Sequence, residues 1–583
     1  MAVLMPKLPT LTGGSVSRVM TDTFSGYNHN IRIADGECYD DTNLTGDHYP
    51  ILATRKRRKT VMNLSAPGGL IEKDALGYVD NGTLYYNGHE TAVNDLTVGE
   101  KTLVGMGAYI LIFPDRKYYN TADGTDYGLI DAVYDKTDPA ITVTYEPCDV
   151  DGNVYTVSTT KPDEPENGAY WWDDDTKTLM QWTTVQQGWS EVVAVFTKVS
   201  FPTNGILPQL FRQGDGVEIS GLDDELSGTK YIYMLGGSGA ESDYLVLGGL
   251  VGPAGSETKS VLIKRQMPDM DFIVECQNRL WGCKYGIVDG KTVNELYCSA
   301  LGDFRNWRQY QGLSTDSWAA SVGSDGIWTG ACNYLGHPVF FKENRIHMIT
   351  VSATGGHRVD ETICRGVQAG SHKSLAVVGE TLYYKSRTDV CAWQGGFPTG
   401  VSTALGDGYY KSAVAGVFGS KYYISMQTGS CWHLFVFDTQ KGIWFREDDL
   451  RVDHFARVDD ELYCIDHGHK LLALNGTVYG TEEATLPWSW ETGLLYFQYP
   501  DKKWLSRYDV RLNMSEQATA KLYIMYDSSG TWVDSGTIKR NGTGTVVVPV
   551  RPRRCDHLRV KLEGTGDVKI FSVARILEVG SDV

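Results

Sequence analysis

The sequence lacks a surplus of positive charge. Its 583 residues include 54 Lys and Arg against 72 Asp and Glu, which gives a formal net charge of −18. A protein that grips nucleic acid through its phosphates needs the opposite balance. The composition therefore argues against such a role, although DNA could still slide past an acidic wall that offers it few places to bind.

Long apolar runs and long helical runs are also missing. No stretch of about 18 apolar residues occurs, so we expect no transmembrane helix and no insertion into a membrane. The first seven residues lack the charged segment and the apolar stretch of a secretory signal. In contrast, 64 Gly and 11% aromatic residues are typical of many short strands joined by turns. The composition predicts an all-β protein.

Recognisable catalytic and metal-binding motifs are absent as well. We find no nucleophile elbow, zinc-protease helix, phosphate-binding loop or dinucleotide fingerprint. The eleven cysteines have no tight spacing, and Cys276 and Cys283 have no second pair to complete a zinc site. We therefore predict buried free thiols of a reducing cytoplasm, with no catalytic residue, cofactor or metal.

What the sequence does contain is a repeat. A short hydrophobic strand pattern recurs at residues 280–282, 339–341, 382–384, 422–424 and 462–464, and its last three steps are 43, 40 and 40 residues long. This interval is the length of one four-stranded blade of a β-propeller. The clusters predict a propeller of six or seven blades.

The rest of the chain is divided around this repeat. We predict an extended N-terminal arm over residues 1–65, the first blades over 66–136, an inserted small β-barrel-like domain over 137–265, the remaining blades over 266–484, and a C-terminal β-sandwich over 485–583. The sandwich is predicted from the strict alternation of apolar and polar residues in its strands, which implies one buried and one exposed face.

Five consecutive basic residues lie near the end of the arm, namely Arg55, Lys56, Arg57, Arg58 and Lys59. In an acidic protein such a run has two interpretations of about equal weight. It can contact phosphate or dock an acidic partner, or it can be a solvated turn.

Four tryptophans surround turns of the inserted domain, namely Trp171, Trp172, Trp182 and Trp189. Such side chains can stack on sugar rings, although packing within a hairpin is the commoner role. The adjacent aspartates at 173–175 lack the alternating ligand spacing of a calcium loop, so we predict a polar hairpin tip there.

Two further motifs are weak. His467 and His469 lie on one turn without a third metal ligand, so we predict an exposed turn. Residues 324–328, Ser-Asp-Gly-Ile-Trp, are a compressed version of the box found in propeller sialidases, but the box occurs once and an ordinary Asp-Gly turn explains it.

One longer string resembles a known family. Arg279-Leu280, Tyr297-Cys298-Ser299 and Gly302-Asp303-Phe304-Arg305-Asn306-Trp307 follow one another in an order similar to that of the tail nozzle, or tail tubular, proteins of short-tailed bacteriophages. The segment Tyr49-Pro50-Ile51-Leu52, followed by the basic run, resembles an early segment of the same family. The inserted domain has no counterpart there.

This resemblance implies a structural virion protein that is not an enzyme. It would form a hexameric ring below the portal and adaptor proteins, contact tail fibre or tip proteins, and conduct phage DNA without binding it specifically. Its place would be the virion tail, after assembly in the cytoplasm of the bacterial host. The alternative is a glycan-binding or glycan-cleaving β-propeller that acts in host adsorption. A third interpretation is an intracellular interaction scaffold.

Overall fold

The chain folds almost entirely into β-strands. A computed structural model describes residues 16–237, 241–288, 290–351, 356–497 and 502–579. The first fifteen residues of the predicted arm lie outside this range. In the described part, 52 strands accompany one four-residue α-helix and three short 3-10 helices, at Asp224–Leu226, His372–Ser374 and Thr403–Leu405. The all-β prediction is confirmed.

Seven short strands come from the predicted arm. They are β1 (Val16–Thr21), β2 (Gly26–Tyr27), β3 (Glu37–Cys38), β4 (Asp40–Thr42), β5 (Leu44–Thr45), β6 (Leu52–Thr54) and β7 (Lys59–Asn63). Two four-stranded sheets follow, formed by β8 (Pro67–Lys73), β9 (Ala75–Asp80), β10 (Thr83–Tyr86), β11 (His89–Glu90), β12 (Thr102–Met106), β13 (Tyr109–Phe113), β14 (Lys117–Asn120) and β15 (Tyr127–Leu129).

The inserted domain comes next. Its elements are β16 (Ala132–Cys148), β17 (Val157–Ser158), β18 (Tyr170–Asp173), β19 (Thr178–Thr183), β20 (Gly188–Glu191), β21 (Phe196–Ser200), α1 (Leu207–Leu210), β22 (Gly216–Ser220), β23 (Gly228–Gly236), β24 (Tyr244–Gly248) and β25 (Gly255–Arg265). Six of these strands close a barrel in the order β16-β21-β24-β23-β22-β25. Apolar side chains from alternate positions fill it, among them Tyr134, Val143, Phe201, Val217, Ile232, Leu245 and Ile263.

The remaining blade strands follow in sets of four. They are β26 (Phe272–Cys276), β27 (Arg279–Val288), β28 (Lys291–Cys298), β29 (Trp318–Ser321), β30 (Gly330–Tyr334), β31 (His337–Lys342), β32 (Arg345–Val351), β33 (His357–Ile363), β34 (Ala376–Val378), β35 (Thr381–Lys385), β36 (Val390–Trp393), β37 (Thr399–Gly400), β38 (Lys411–Phe418), β39 (Lys421–Thr428), β40 (Cys431–Asp438), β41 (Ile443–Asp448), β42 (Val452–Val458), β43 (Glu461–Asp466) and β44 (Lys470–Ala473).

The propeller has seven such sheets in the described part of the chain, counting β8–β11 and β12–β15. In the last one, β42, β43 and β44 are joined by β7 from the N-terminal segment, and Leu471 lies opposite Met62. A further short strand, β45 (Thr481–Glu482), adds to β7. The N-terminal strand thus supplies the partner that β44 would otherwise lack, which leaves no open edge there.

A C-terminal sandwich completes the fold, with strands β46 (Pro487–Glu491), β47 (Lys503–Met514), β48 (Thr519–Tyr526), β49 (Val533–Ile538), β50 (Gly542–Pro549), β51 (Leu558–Thr565) and β52 (Val568–Val579). One sheet has the order β5-β6-β52-β47-β50, with β1 also paired to β52, and the other has the order β4-β46-β51-β48-β49. The segment predicted as an extended arm is therefore incorporated into sheets, because its short strands pair with sheet edges.

By their contacts, the residues form two compact units. One comprises residues 1–81, 343–345 and 363–583 and includes the sandwich. The other comprises residues 82–342 and 346–362 and includes the barrel. Eight of the eleven cysteines are buried and all eleven are free, which confirms the predicted free thiols, although Cys431 is exposed. No helix in the described ranges has the length and hydropathy needed to cross a membrane.

Candidate functional site

A separate four-stranded sheet interrupts the barrel between β16 and β21. Its order is β17-β18-β19-β20, and β18 and β19 form a tight hairpin. At the hairpin tip Lys177 has a positive φ of 56° and donates from Nζ to the Asp174 carboxylate at 2.6 Å. The aspartates at 173–175 therefore form the polar tip that the sequence predicted, and Asp174 is used within it.

The pairing of these strands separates the four tryptophans into two groups. Side chains directly opposite one another share a face of a sheet, and neighbours along a strand alternate. Trp172 lies opposite Leu179, and the two are 5% and 2% exposed. Trp182 lies opposite Trp189, on the other face, where Trp171 also lies. The sequence had placed all four tryptophans together, whereas Trp172 is buried and inaccessible.

The three remaining indoles form one partly exposed aromatic surface, which we call the tryptophan surface (Trp171, Trp182 and Trp189). The Trp189 ring contacts both of the others edge to face, with centroids 5.6 Å away in each case. The Lys161 ammonium lies 5.1 Å from the centroid of Trp171. Partly exposed aromatic rings grouped on one sheet face make that face a candidate for binding a ligand or partner.

Polar groups border the tryptophan surface. Asp173 follows two residues after Trp171 on β18, and Glu191 follows two residues after Trp189 on β20, so both carboxylates share the face of the indoles. Both are at least partly exposed. The face therefore combines apolar rings with hydrogen-bond acceptors at its border.

A cavity of about 560 Å³ opens beside the same sheet. Tyr155 and Tyr170, which line it, stack on one another with centroids 4.2 Å apart. Burial, together with the neighbouring Tyr170 hydroxyl, raises the pKa of Tyr155 to about 12. Glu166 and Asn167 also line the cavity. The cavity is thus an aromatic and polar recess, separate from the tryptophan surface, on this small sheet.

The basic run has a different arrangement from the one predicted. Arg55 and Arg58 are 6% exposed each and point inward. Arg58 donates at 2.6 Å to both Glu447 and Asp448, and Arg55 donates to Glu483 at 3.0 Å. Burial disfavours the Arg58 charge, but the ion pairs with Asp448 and Glu447 outweigh it and raise the pKa of Arg58. These two arginines hold the fold together and are not free to dock a partner.

The other three members of the run remain at least partly accessible. Lys56 is exposed, and Arg57 lies 3.8 Å from Glu482 and 3.7 Å from Asp567. Lys59 donates from Nζ to the Val478 carbonyl at 3.0 Å. All three line a cavity in the first unit. The predicted patch of five basic residues is thus divided into two anchored arginines, of which Arg55 also lines this cavity, and three more accessible lining residues.

One pair of carboxylates was missed by sequence reasoning. Asp40 on β4 and Glu491 on β46 lie directly opposite one another, so their Cβ atoms are about 4.5–5.5 Å apart. Arg446 lies 3.1 Å from Asp40, and Arg559 lies 2.7 Å from Glu491. Burial raises the pKa of Glu491 in spite of Arg559. The two residues are far apart in the sequence, so only the pairing of the strands reveals them.

The two weak motifs have structural roles. Ser324 is buried and lies 2.9 Å from Nε2 of buried His347, and Trp328 is 3% exposed, so both ends of the sialidase-like box are buried, whereas its middle residues form an exposed turn. His467 lies 3.1 Å from Asp453, and His469 bonds the Ser65 carbonyl at 3.2 Å. Over the ranges that the structure covers, no three His, Cys, Asp or Glu side chains are grouped to hold a metal.

No family model and no curated protein matches the chain. Solved structures do match it. The exo-β-1,3-galactanase of Phanerochaete chrysosporium is 8% identical, with coverage of 52% of this chain and 95% of that one and a TM-score of 0.21. The extracellular domain of a putative hybrid two-component system from B. thetaiotaomicron is 9% identical, covering 91% and 98%, with a TM-score of 0.24. A Bacillus subtilis arabinoxylan arabinofuranohydrolase is 8% identical, covering 53% and 94%, with a TM-score of 0.17.

These matches correct two predictions. The proteins named above are glycoside hydrolases and an extracellular domain rather than tail proteins, which contradicts the predictions of a tail nozzle and of a chain that is not an enzyme. At these identities the likeness concerns the fold alone, so any function has to be argued from the residues of this chain. None of these findings addresses the expected resemblance to tail nozzle proteins, the hexameric ring, the portal, fibre and DNA partners, or the virion location.

Proposed function

We propose that the chain binds carbohydrate through the tryptophan surface. The observation that carries this proposal is the placing of Trp171, Trp182 and Trp189, partly exposed, on a single face of the β17–β20 sheet. A pyranose ring has an apolar C–H face that packs on an indole and hydroxyl groups at its edge that need hydrogen-bond partners.

The borders of the surface meet the second requirement. Asp173 and Glu191 supply acceptors for sugar hydroxyls on the same face as the rings. Three indoles on one face offer stacking positions for more than one pyranose ring, whereas the cavity lined by Tyr155 and Tyr170 is a separate recess, because Tyr170 lies on the face of Trp172. We infer an oligosaccharide or polysaccharide ligand rather than a single sugar.

Variants of the tryptophan surface test this proposal. We expect the purified chain to be retained on at least one of immobilised arabinoxylan, galactan, β-glucan or bacterial O-polysaccharide. Trp171→Ala and Trp182→Ala should each weaken that binding at least tenfold, which is about 1.4 kcal/mol, while Trp182→Phe should retain part of it. Affinity electrophoresis or calorimetry measures the change.

Trp532→Ala is the matched control, because Trp532 is partly exposed in the loop just before β49, outside the β17–β20 sheet. Thermal unfolding of each variant separates loss of the ligand contact from loss of the fold. Binding that is unchanged in both alanine variants, or equally weakened by Trp532→Ala, would overturn the proposal.

A second function is favoured by the facing carboxylates. Hydrolysis of a glycosidic bond with retained configuration uses two carboxyl groups about 5–5.5 Å apart, one a general acid with a raised pKa and the other a nucleophile. Glu491, partly buried and with a raised pKa, fits the acid. Asp40, with its side chain 35% exposed, fits the nucleophile. Arg446 and Arg559 stabilise charge beside them.

Activity measurements test this second function. We expect the chain to release reducing sugar from at least one of the four polysaccharides, and Glu491→Gln and Asp40→Asn to lower the rate by about 10²–10⁴-fold. The wild-type rate should fall as pH rises through the Glu491 pKa, because the acid must be protonated. Glu563→Gln, on the same sheet, is the control. No release by the wild type, or full activity in Glu491→Gln, would rule out cleavage at this pair.

A further inference from the structure

The cavity beside the basic run has an unusual charge. Its volume is about 660 Å³, and it lies wholly within the first unit, between the segment before β7, the loop after β44 and the sandwich strands β47 and β52. Five cationic side chains line it, against two carboxylates, Glu482 and Asp567. The whole chain, in contrast, has a net charge of −18. This positive cavity is therefore not a consequence of the overall composition.

The five cationic side chains differ in whether a protein carboxylate compensates their charge. Arg55 is compensated by Glu483 and by Glu447, which lies 3.7 Å away, and Arg57 lies between its two carboxylates. Lys56 and Lys569 are both exposed, and neither side chain has an ion-pair or hydrogen-bond partner among the described residues. Two ammonium groups thus face one cavity with no protein anion paired to them.

The backbone that carries Lys56 is held in place. It lies between Arg55 and Arg58, whose guanidinium groups are anchored by buried Glu447 and by partly buried Asp448 and Glu483. Lys569 is on β52, paired to Ala53 of β6. Lys569 therefore extends from a paired strand and Lys56 from an anchored segment between β6 and β7, which lowers the ordering cost of binding a ligand between them.

Neutral polar groups complete the lining. His48, Asn475, Asn513 and Ser515 all face the cavity. Amide, hydroxyl and imidazole groups can donate hydrogen bonds to oxyanion oxygens, and lysine is a common ligand of phosphate. The lining contains no large apolar ring, which distinguishes it from the tryptophan surface.

From this arrangement we propose that the cavity binds the phosphate or sulfate groups of a small polyanion, with Lys56 and Lys569 as its principal contacts. Phosphate and sulfate are both tetrahedral oxyanions, so the ammonium groups and hydrogen-bond donors of the lining suit either of them. The ligand is either a free inorganic polyanion or a sulfated saccharide, and the test separates these two sources.

Calorimetric titration of the full chain tests this proposal with pyrophosphate and with a sulfated disaccharide as probes. We expect at least one probe to bind, with an affinity that falls as salt rises, and the unsulfated disaccharide to be inert at this site. Lys56→Ala combined with Lys569→Ala should lower the affinity at least tenfold. Which probe binds identifies the source.

The control is Lys470→Ala combined with Lys539→Ala, which removes the same charge from two exposed lysines outside the cavity lining. It should bind like the wild type, because the cavity lining is intact, and its net charge equals that of the Lys56→Ala and Lys569→Ala double variant. The proposal is overturned if neither probe binds the wild type, or if the two double variants bind the probes equally well.

Discussion

The guanidinium of Arg58 lies 2.6 Å from both Glu447 and Asp448 in a buried network that Arg55 shares. By residue type alone it was grouped with four basic neighbours as a surface feature. The buried position of Arg58 gives it an internal role instead, because an unpaired charge at this depth would be strongly destabilising, whereas a paired charge is tolerated. Sequence identifies that the run is basic, but it cannot say which members find internal carboxylates more than 380 residues later.

The Arg58 network leads to a stability prediction. Arg58→Met removes the principal partner of Glu447 and Asp448, and we expect it to destabilise the first unit by about 3 kcal/mol, the lower end of the range for breaking a buried pair, because Arg55 lies 3.7 Å from both carboxylates. A lower midpoint of denaturant unfolding measures the loss. Adding Glu447→Gln and Asp448→Asn should restore part of it. An unchanged midpoint would show that the network contributes nothing.

The ion pair between Arg58 and Asp448 makes the stability of the fold depend on pH. Although burial opposes it, Arg58 lowers the pKa of Asp448 below its usual value. A lowered folded-state pKa stabilises the fold above the unfolded value of about 4 and ceases to do so as pH falls through the folded value. The stability gap between wild type and Arg58→Met should therefore be full above about pH 4 and shrink below it.

Residues of the phage-like string have similar structural roles. Arg279 is buried and donates to the carbonyls of Ser299, Ser314 and Asp316. Asn306 accepts from the Gly216 amide and donates to the Gly214 carbonyl, which joins this loop to the barrel. A motif of this kind reports how a turn packs, and it does not by itself carry function.

Among the strands, the repeat was the best predictor. Its five copies fall on β27, β31, β35, β39 and β43, each the second strand of its sheet and buried over at least half of its length. Second strands have apolar neighbours on both faces, so they form continuous hydrophobic runs. Edge strands of two or three residues, such as β11 and β37, leave no such pattern.

The inserted sheet shows what a sequence pattern cannot determine. The hairpin at 170–182 was predicted with its polar tip, and the tryptophans were identified as candidates for stacking. Which face each indole occupies depends on strand register, since a shift by one residue moves every side chain to the other face. The observed register buries Trp172 against Leu179 and exposes the other three.

The arm and the facing carboxylates depend on long-range pairing. β4 has three residues and β46 has five, yet their pairing brings Asp40 opposite Glu491. Short strands broken by Gly and Pro give no alternation, so the sequence predicted an extended arm. Their edge pairing satisfies backbone groups that would otherwise be left open.

At the scale of the whole molecule, the chain combines an acidic surface with two local sites of distinct chemistry. The tryptophan surface offers apolar rings bordered by carboxylates, and the basic cavity offers cations among amides. They belong to different compact units. The strongly negative net charge repels polyanions in general, and the basic cavity is a local exception to it. Neutral sugars are unaffected by the net charge of the chain.

Fluorine NMR of the chain labelled with 5-fluorotryptophan tests the central claim most directly. The chain has 15 tryptophans, and single Trp→Phe variants assign their fluorine signals. On titration with the oligosaccharide of a retained polysaccharide, we predict that the signals of Trp171, Trp182 and Trp189 shift and saturate together, while those of buried Trp444 and Trp488 stay in place. Saturating sugar that leaves all three signals unmoved, or shifts only tryptophans elsewhere, would contradict the claim that this surface binds carbohydrate.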